Sequence, residues 1–124
     1  MSRRGLALAG AVGALALAAF APPADQAGDY SLSRTTEGPD VCHLRLTSEP
    51  AIGGWAVALG EDCAALFELS PDIAAWTAGP DGEIRFIDPL RRPLLVFIPT
   101  EIGGYVAERP GSYALSLDPV EAAP

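Results

Sequence analysis

The sequence predicts an all-β fold, an eight-stranded antiparallel up-and-down β-barrel with one short helix and one disulfide. Three observations carry that prediction. Short apolar or alternating runs recur about every 10–12 residues after residue 28, Gly and Pro separate them, and one separator, Gly79-Pro80-Asp81-Gly82, ends in Asp-Gly. Asp-Gly is a strong hairpin signal because glycine accepts positive φ without a Cβ clash. Eight antiparallel strands in about 90 residues favour closure, which leaves no edge strand to aggregate. A two-sheet sandwich is the alternative, since periodicity alone does not separate the two.

Each element has its own signature. Residues 29–34 carry Tyr30 and Leu32 at period two. Residues 41–47 alternate, with Cys42, Leu44 and Leu46 on one face and His43 and Arg45 on the other. After the Gly53-Gly54 turn, residues 55–59 put Trp55, Val57 and Leu59 together. Residues 63–69 break the alternation with Ala64, Ala65, Leu66 and Leu69, which suits one or two helical turns. Residues 73–78 carry Trp76, and residues 83–88 set Ile84 and Phe86 against Glu83, Arg85 and Asp88. Residues 93–98 hold an unbroken apolar run, Leu94-Leu95-Val96-Phe97-Ile98, the pattern of a strand covered on both faces. Gly103-Gly104 leads into a strand over 105–109, Pro110-Gly111 turns the chain into the last over 113–117, and 118–124 form a polar tail. Trp55, Trp76, Phe86 and Phe97 fall on inward or covered positions. A barrel of eight strands is just wide enough for such side chains to fill it, which favours a packed core over a ligand cavity.

Residues 1–21 have the parts of a secretory signal peptide: a basic start with Arg3 and Arg4, an uncharged Ala- and Leu-rich run over residues 5–20, and small residues beyond. The run is 16 residues, shorter than the roughly 20 a spanning helix needs. Both Ala19-Phe20-Ala21 and Ala16-Leu17-Ala18 satisfy the small-x-small rule for cleavage. No cysteine stands near the end of the run to accept a lipid, so no stable membrane anchor is expected after cleavage, and the periplasm is the expected compartment. The six residues Pro22-Pro23-Ala24-Asp25-Gln26-Ala27 lack apolar periodicity and read as an extended arm leading to a single domain over residues 28–117.

Eight Lys and Arg stand against 16 Asp and Glu, for a net charge of −8. All eight cations are Arg, and removal of Arg3 and Arg4 with the leader takes the net charge to −10. Such a surface repels phosphate backbones and anionic lipid, which argues against nucleic-acid and membrane partners. Cys42 and Cys63 are the two cysteines, and in an exported chain an even pair reads as a structural disulfide.

Signals for catalysis are weak. The single histidine, His43, alternates outward one residue after a cysteine, so a base for a nucleophilic triad is missing. With one His and both cysteines paired, only carboxylates remain as metal ligands, and pairs such as Glu61-Asp62 read as solvated loop charges. Gly53-Gly54 and Gly103-Gly104 lack the following helix and Lys of a phosphate loop. The chain is expected not to be an enzyme.

The segments Gly28-Asp29-Tyr30-Ser31-Leu32 and Cys42-His43-Leu44-Arg45-Leu46 are followed by Trp55-Ala56-Val57-Ala58-Leu59-Gly60-Glu61-Asp62-Cys63. Then come Ile73-Ala74-Ala75-Trp76, Gly79-Pro80-Asp81-Gly82-Glu83-Ile84, the run ending at Phe97, and Gly104-Tyr105. In that order they resemble the AprI/Inh family of bacterial metalloprotease inhibitors, over roughly residues 27–117. The resemblance implies an eight-stranded barrel with one disulfide that protects the periplasm by binding a secreted or envelope zinc protease of the serralysin type. It also implies that an N-terminal trunk enters the protease cleft and approaches the zinc of the protease, with no cofactor belonging to the inhibitor. The corresponding residues are Pro22, Pro23, Ala24, Asp25, Gln26 and Ala27, although the family trunk is richer in Ser and Leu. Gly79, Pro80, Asp81, Gly82, Gly103, Gly104 and Tyr105 are candidate contacts at the barrel rim. A small-ligand barrel of the lipocalin or avidin type and a non-inhibitory envelope-interaction module are the alternatives.

Overall fold

The structure, a computed structural model, describes residues 26–35 and 40–120. The expected signal peptide, residues 22–25 of the arm and the last four residues lie outside the described residues. Eight strands, β1 (Gly28–Arg34), β2 (Val41–Ala51), β3 (Gly54–Leu59), β4 (Ala75–Ala78), β5 (Ile84–Ile87), β6 (Pro93–Pro99), β7 (Tyr105–Ala107) and β8 (Leu115–Pro119), are joined in order, with one helix, α1 (Cys63–Phe67), between β3 and β4. Each strand pairs antiparallel with the next, and β8 returns to β1 to close the barrel. The closing pair runs in register from Tyr30 opposite Pro119 to Arg34 opposite Leu115. Closure, the up-and-down order and the Cys42–Cys63 disulfide are therefore as the sequence predicts.

Alternation decides which side chains fill the interior. In β2, Cys42, Leu44 and Leu46 are buried while Val41, His43 and Arg45 are exposed. Tyr30 and Leu32 of β1, Ile84 and Phe86 of β5, Leu95 and Phe97 of β6, and Leu115 and Leu117 of β8 point inward in the same way. Trp76, Phe67, Phe86 and Phe97 are the largest fully buried residues, and the Phe86 and Phe97 rings meet edge to face at 5.1 Å. Burial of each such side chain contributes roughly 1.5–3 kcal/mol. Side chains fill the barrel.

Several element ends shift by one or two residues from the sequence pattern, and three departures bear on the fold. β2 runs on to Ala51 through a bulge between Leu46 and Pro50. There Thr47 Oγ1 donates to the Ala56 carbonyl at 2.9 Å, and the Thr47 carbonyl accepts from the buried Trp76 indole N–H at 2.9 Å. The bulge thus supplies the acceptor that an interior tryptophan requires. β6 is not covered on both faces: Leu94 and Val96 are half-buried and Ile98 is 52% exposed, because this stretch of the outer wall faces solvent. β8 extends to Pro119 instead of stopping at Leu117, because Asp118 and Pro119 pair with Ser31 and Tyr30.

One end of the barrel is sealed. The disulfide ties α1 to β2. Arg109 Nη1 donates to the Phe67 carbonyl at 2.6 Å and Tyr113 Oη to the Leu66 carbonyl at 3.3 Å, so the β7–β8 loop satisfies carbonyls that a helix end leaves open. The Tyr113 ring lies between the guanidinium groups of Arg34 and Arg109, at 4.3 and 4.7 Å from its centroid. At the same end, Asp88 closes the β5–β6 turn. Its carboxylate accepts from the Leu90 and Arg92 backbone N–H groups at 2.9 and 2.8 Å and from Arg92 Nε at 2.8 Å.

The two cysteines are 21 positions apart, and constraining a loop of that length stabilises a domain by about 3 kcal/mol. A Cys42→Ser/Cys63→Ser variant is expected to remain a barrel by circular dichroism while losing about that much stability in urea unfolding. An unchanged midpoint would mean that α1 packing, and not the covalent link, secures this end.

Candidate functional site

An up-and-down order places the start of β1, the β4–β5 turn, the β6–β7 turn and the end of β8 at the end of the barrel opposite the sealed one. The described candidate residues from the sequence, Gln26, Ala27, Gly79, Pro80, Asp81, Gly82, Gly103, Gly104 and Tyr105, all belong to this end. Pro22, Pro23, Ala24 and Asp25 lie outside the described residues.

Gln26 joins these segments. It is 8% exposed, its side-chain amide donates from Nε2 to the Gly82 carbonyl at 2.8 Å, and its own carbonyl accepts from Tyr30 Oη at 2.7 Å. The Tyr30 ring in turn meets Tyr105 of β7 edge to face, with centroids 6.3 Å apart. A Cβ placed on Gly82 would lie 4.0 Å from Pro99 Cγ, so the β4–β5 turn rests beside the end of β6. The C-terminal strand closes the circle: Val120 N–H donates to the Asp29 carbonyl at 2.9 Å.

The β4–β5 turn is built around a carboxylate. Glu83 accepts from Arg85 Nη2 at 2.8 Å and from the Asp81 N–H at 3.0 Å. The Gly79 and Gly82 backbones close the turn through Gly79 N–H to Glu83 O at 2.8 Å and Gly82 N–H to Gly79 O at 3.2 Å. Any side chain at Gly79 would meet the Glu83 carboxylate, since a Cβ there would sit 2.2 Å from it. The Arg85 hydrogen bond, helped by the backbone N–H groups of Glu83 and Asp81, holds the Glu83 carboxyl below its usual pKa in spite of burial.

The β6–β7 turn presents an apolar side chain that the sequence pattern does not single out. Thr100 N–H donates to the Gly104 carbonyl at 3.0 Å and Gly103 N–H to the Thr100 carbonyl at 3.3 Å, with φ of +93° at Gly103 and +76° at Gly104. Ile102 stands on this turn 97% exposed. The available signal was a lone β-branched residue between Glu101 and two glycines, where a solvated turn normally carries polar residues. On the outer wall, Val96, Ile98, Pro99 and Val106 line a shallow groove together with Thr100 and Glu108.

No catalytic grouping emerges among these residues. His43 is exposed on the outer wall of β2, opposite Ser31 in the strand register. Among the described residues, no three His, Cys, Asp or Glu side chains gather where they would hold a metal ion. The arrangement is a rim of short turns with an apolar tip at Ile102.

Three carboxyls have depressed folded-state pKa values: Glu83 through Arg85, Asp88 through the Arg92 backbone N–H, and Asp29 through Arg45. A depressed folded value means that the unfolded chain takes up protons first, so the stabilisation is present above the unfolded values and is lost as pH falls through the folded ones. The thermal midpoint is therefore expected to be flat from neutral pH down to about 5 and to fall below about pH 4. Glu83→Gln should make that acid-side fall shallower; an identical slope would show that Glu83 does not contribute to it.

No family model matches the sequence, and no curated protein matches it. Among solved structures, the chain is similar to the crystal structure of a psychrophilic marine protease MP inhibitor. The superposition has a TM-score of 0.60 at 19% identity and covers 76% of this chain and 94% of that one. At that identity, the likeness shows a shared barrel fold.

Proposed function

We propose that this chain is a proteinaceous protease inhibitor that works by occluding a cleft, without chemistry of its own. Its target is a secreted or envelope zinc metalloprotease of the serralysin type, and it acts in the periplasm after removal of residues 1–21. Residues 22–25 enter the cleft, and the β4–β5 and β6–β7 turns contact its rim.

The observation that carries this reading is the root of the N-terminal segment. Gln26 is fastened to the β4–β5 turn and to Tyr30 of β1, so the root of the segment and that turn share one end of the barrel. The shared fold with a solved protease inhibitor supports the same assignment. The resemblance of residues 27–117 to the AprI/Inh family supports the zinc-protease target. Pro22 and Pro23 favour the mechanism physically: they have no N–H, restrict φ and leave less conformational freedom to lose on binding. A small-ligand barrel is less well supported, because Trp76, Phe67, Phe86 and Phe97 occupy the interior that a ligand would need.

The test is residual proteolysis by a serralysin-type enzyme, titrated with the chain from residue 22 and with a form starting at Gln26, which keeps every described element. Stoichiometric loss of activity with the first and little with the second is the expected result. Failure of the longer form, with its disulfide intact and its N-terminus verified by mass, would remove the protease reading. If the rim takes part, Ile102→Asp should raise the inhibition constant by about tenfold and leave the thermal midpoint unchanged, since the side chain is 97% exposed. Equal inhibition by that variant would confine the contact to the N-terminal segment.

A further inference from the structure

Few polar residues are buried among those described, and one of them stands where the N-terminal segment begins. Gln26, Glu83 and Asp88 are the buried polar residues among those described. Glu83 and Asp88 each close the turn on which they stand. Gln26 instead bonds a distant segment through its side chain. Its amide reaches a carbonyl 56 positions away, and its carbonyl is taken by Tyr30 Oη. A buried amide has two donors and an acceptor to satisfy, and an apolar residue would fill the same space without that requirement. The geometry that results is specific: one contact fixes the side chain and the other fixes the peptide plane.

We propose that Gln26 is the positioning residue of the inhibitory segment. It fixes the root of the N-terminal segment beside the β4–β5 turn, so that a partner engaging that segment also meets the turn. This rests on the protease reading for its partner, but the pin itself is a property of the free protein. Gly82 is the other half of the device. Its φ of +83° is one that L side chains rarely adopt, and this conformation presents its carbonyl to Gln26. Tyr30 couples the pin to the closing strand, since the same residue is buried in the core and pairs with both Leu44 and Pro119. A segment fixed at its root loses less orientational freedom when it binds than one that pivots freely.

Two variants separate positioning from packing. Gln26→Glu keeps the shape but, ionised at neutral pH, has no N–H to donate and turns an acceptor toward the Gly82 carbonyl. Gln26→Met fills the space with no hydrogen-bonding group. In the free chain from residue 22, backbone relaxation should show Gln26 and Ala27 as ordered as β1, with order parameters near 0.85, and both variants should lower them at these positions toward about 0.6. The inhibition constant against a serralysin-type protease should rise about fivefold to tenfold in both variants, with the thermal midpoint of Gln26→Met within a few degrees of the parent. Tyr30→Phe, which removes the second contact and leaves the Gly82 one in place, should give a smaller rise. A wild-type order parameter at Gln26 already at about 0.6, or inhibition by Gln26→Glu equal to that of the parent, would overturn the proposal. If the parent inhibits no protease while Gln26 is ordered and both variants release it, the pin stands and the protease reading falls.

Discussion

Strand β1 is the constraint on which the rest of the structure depends. It is hydrogen-bonded on both sides, to β2 and to β8, and without it the sheet would open along two long edges. Closure does more than protect edges. It brings Leu32 into the centre of the core and sets Tyr30 where its ring reaches Tyr105 and its hydroxyl reaches Gln26. The strand that completes the fold also carries the root of the segment proposed to bind a partner. Damage to closure would therefore also damage presentation.

The two ends of the barrel differ in construction, and the difference follows from where the long connections fall. The longest described connection, between β3 and β4, holds α1, and the disulfide fixes that helix to β2. Arg34, Arg109 and Tyr113 then close over it with cation–π contacts and hydrogen bonds to helix carbonyls. The opposite end has short turns held by their own backbone hydrogen bonds. A stiff, closed scaffold presenting short loops at one end is a general arrangement for recognition. The rim here carries the exposed Ile102 side chain at its tip.

Much of the fold is legible in the sequence because period-two alternation and turn chemistry are local. Cys42, Leu44 and Leu46 declare an inward face, and Asp81-Gly82 declares a hairpin, without reference to anything distant. The bulge in β2 is not legible, because Thr47 to Pro50 break the period and their meaning depends on Trp76, from another strand. The apolar run of β6 misleads for a related reason: Val96 and Ile98 look like buried residues, and only the closed topology shows that no layer covers them. At the site, Gly79 to Gly82 and Gly103 to Tyr105 are visible as turns, but that they share an end with Gln26 requires the strand order. Nothing in Ala24-Asp25-Gln26-Ala27 marks the glutamine, since its partner lies 56 positions away.

The hydrogen bond from Val120 to Asp29 has a practical reach beyond barrel closure. It brings the last described residue next to the first strand, so both ends of the described fold lie on one side. Anything fused after residue 120, whether a tag, a fluorophore or a neighbouring domain, would project into the space where the N-terminal segment is proposed to meet its partner. Attachment through an exposed position on the sealed end, such as Leu90 in the β5–β6 turn, would leave that side open. The point of tethering thus decides whether an immobilised molecule shows its recognition face or its back.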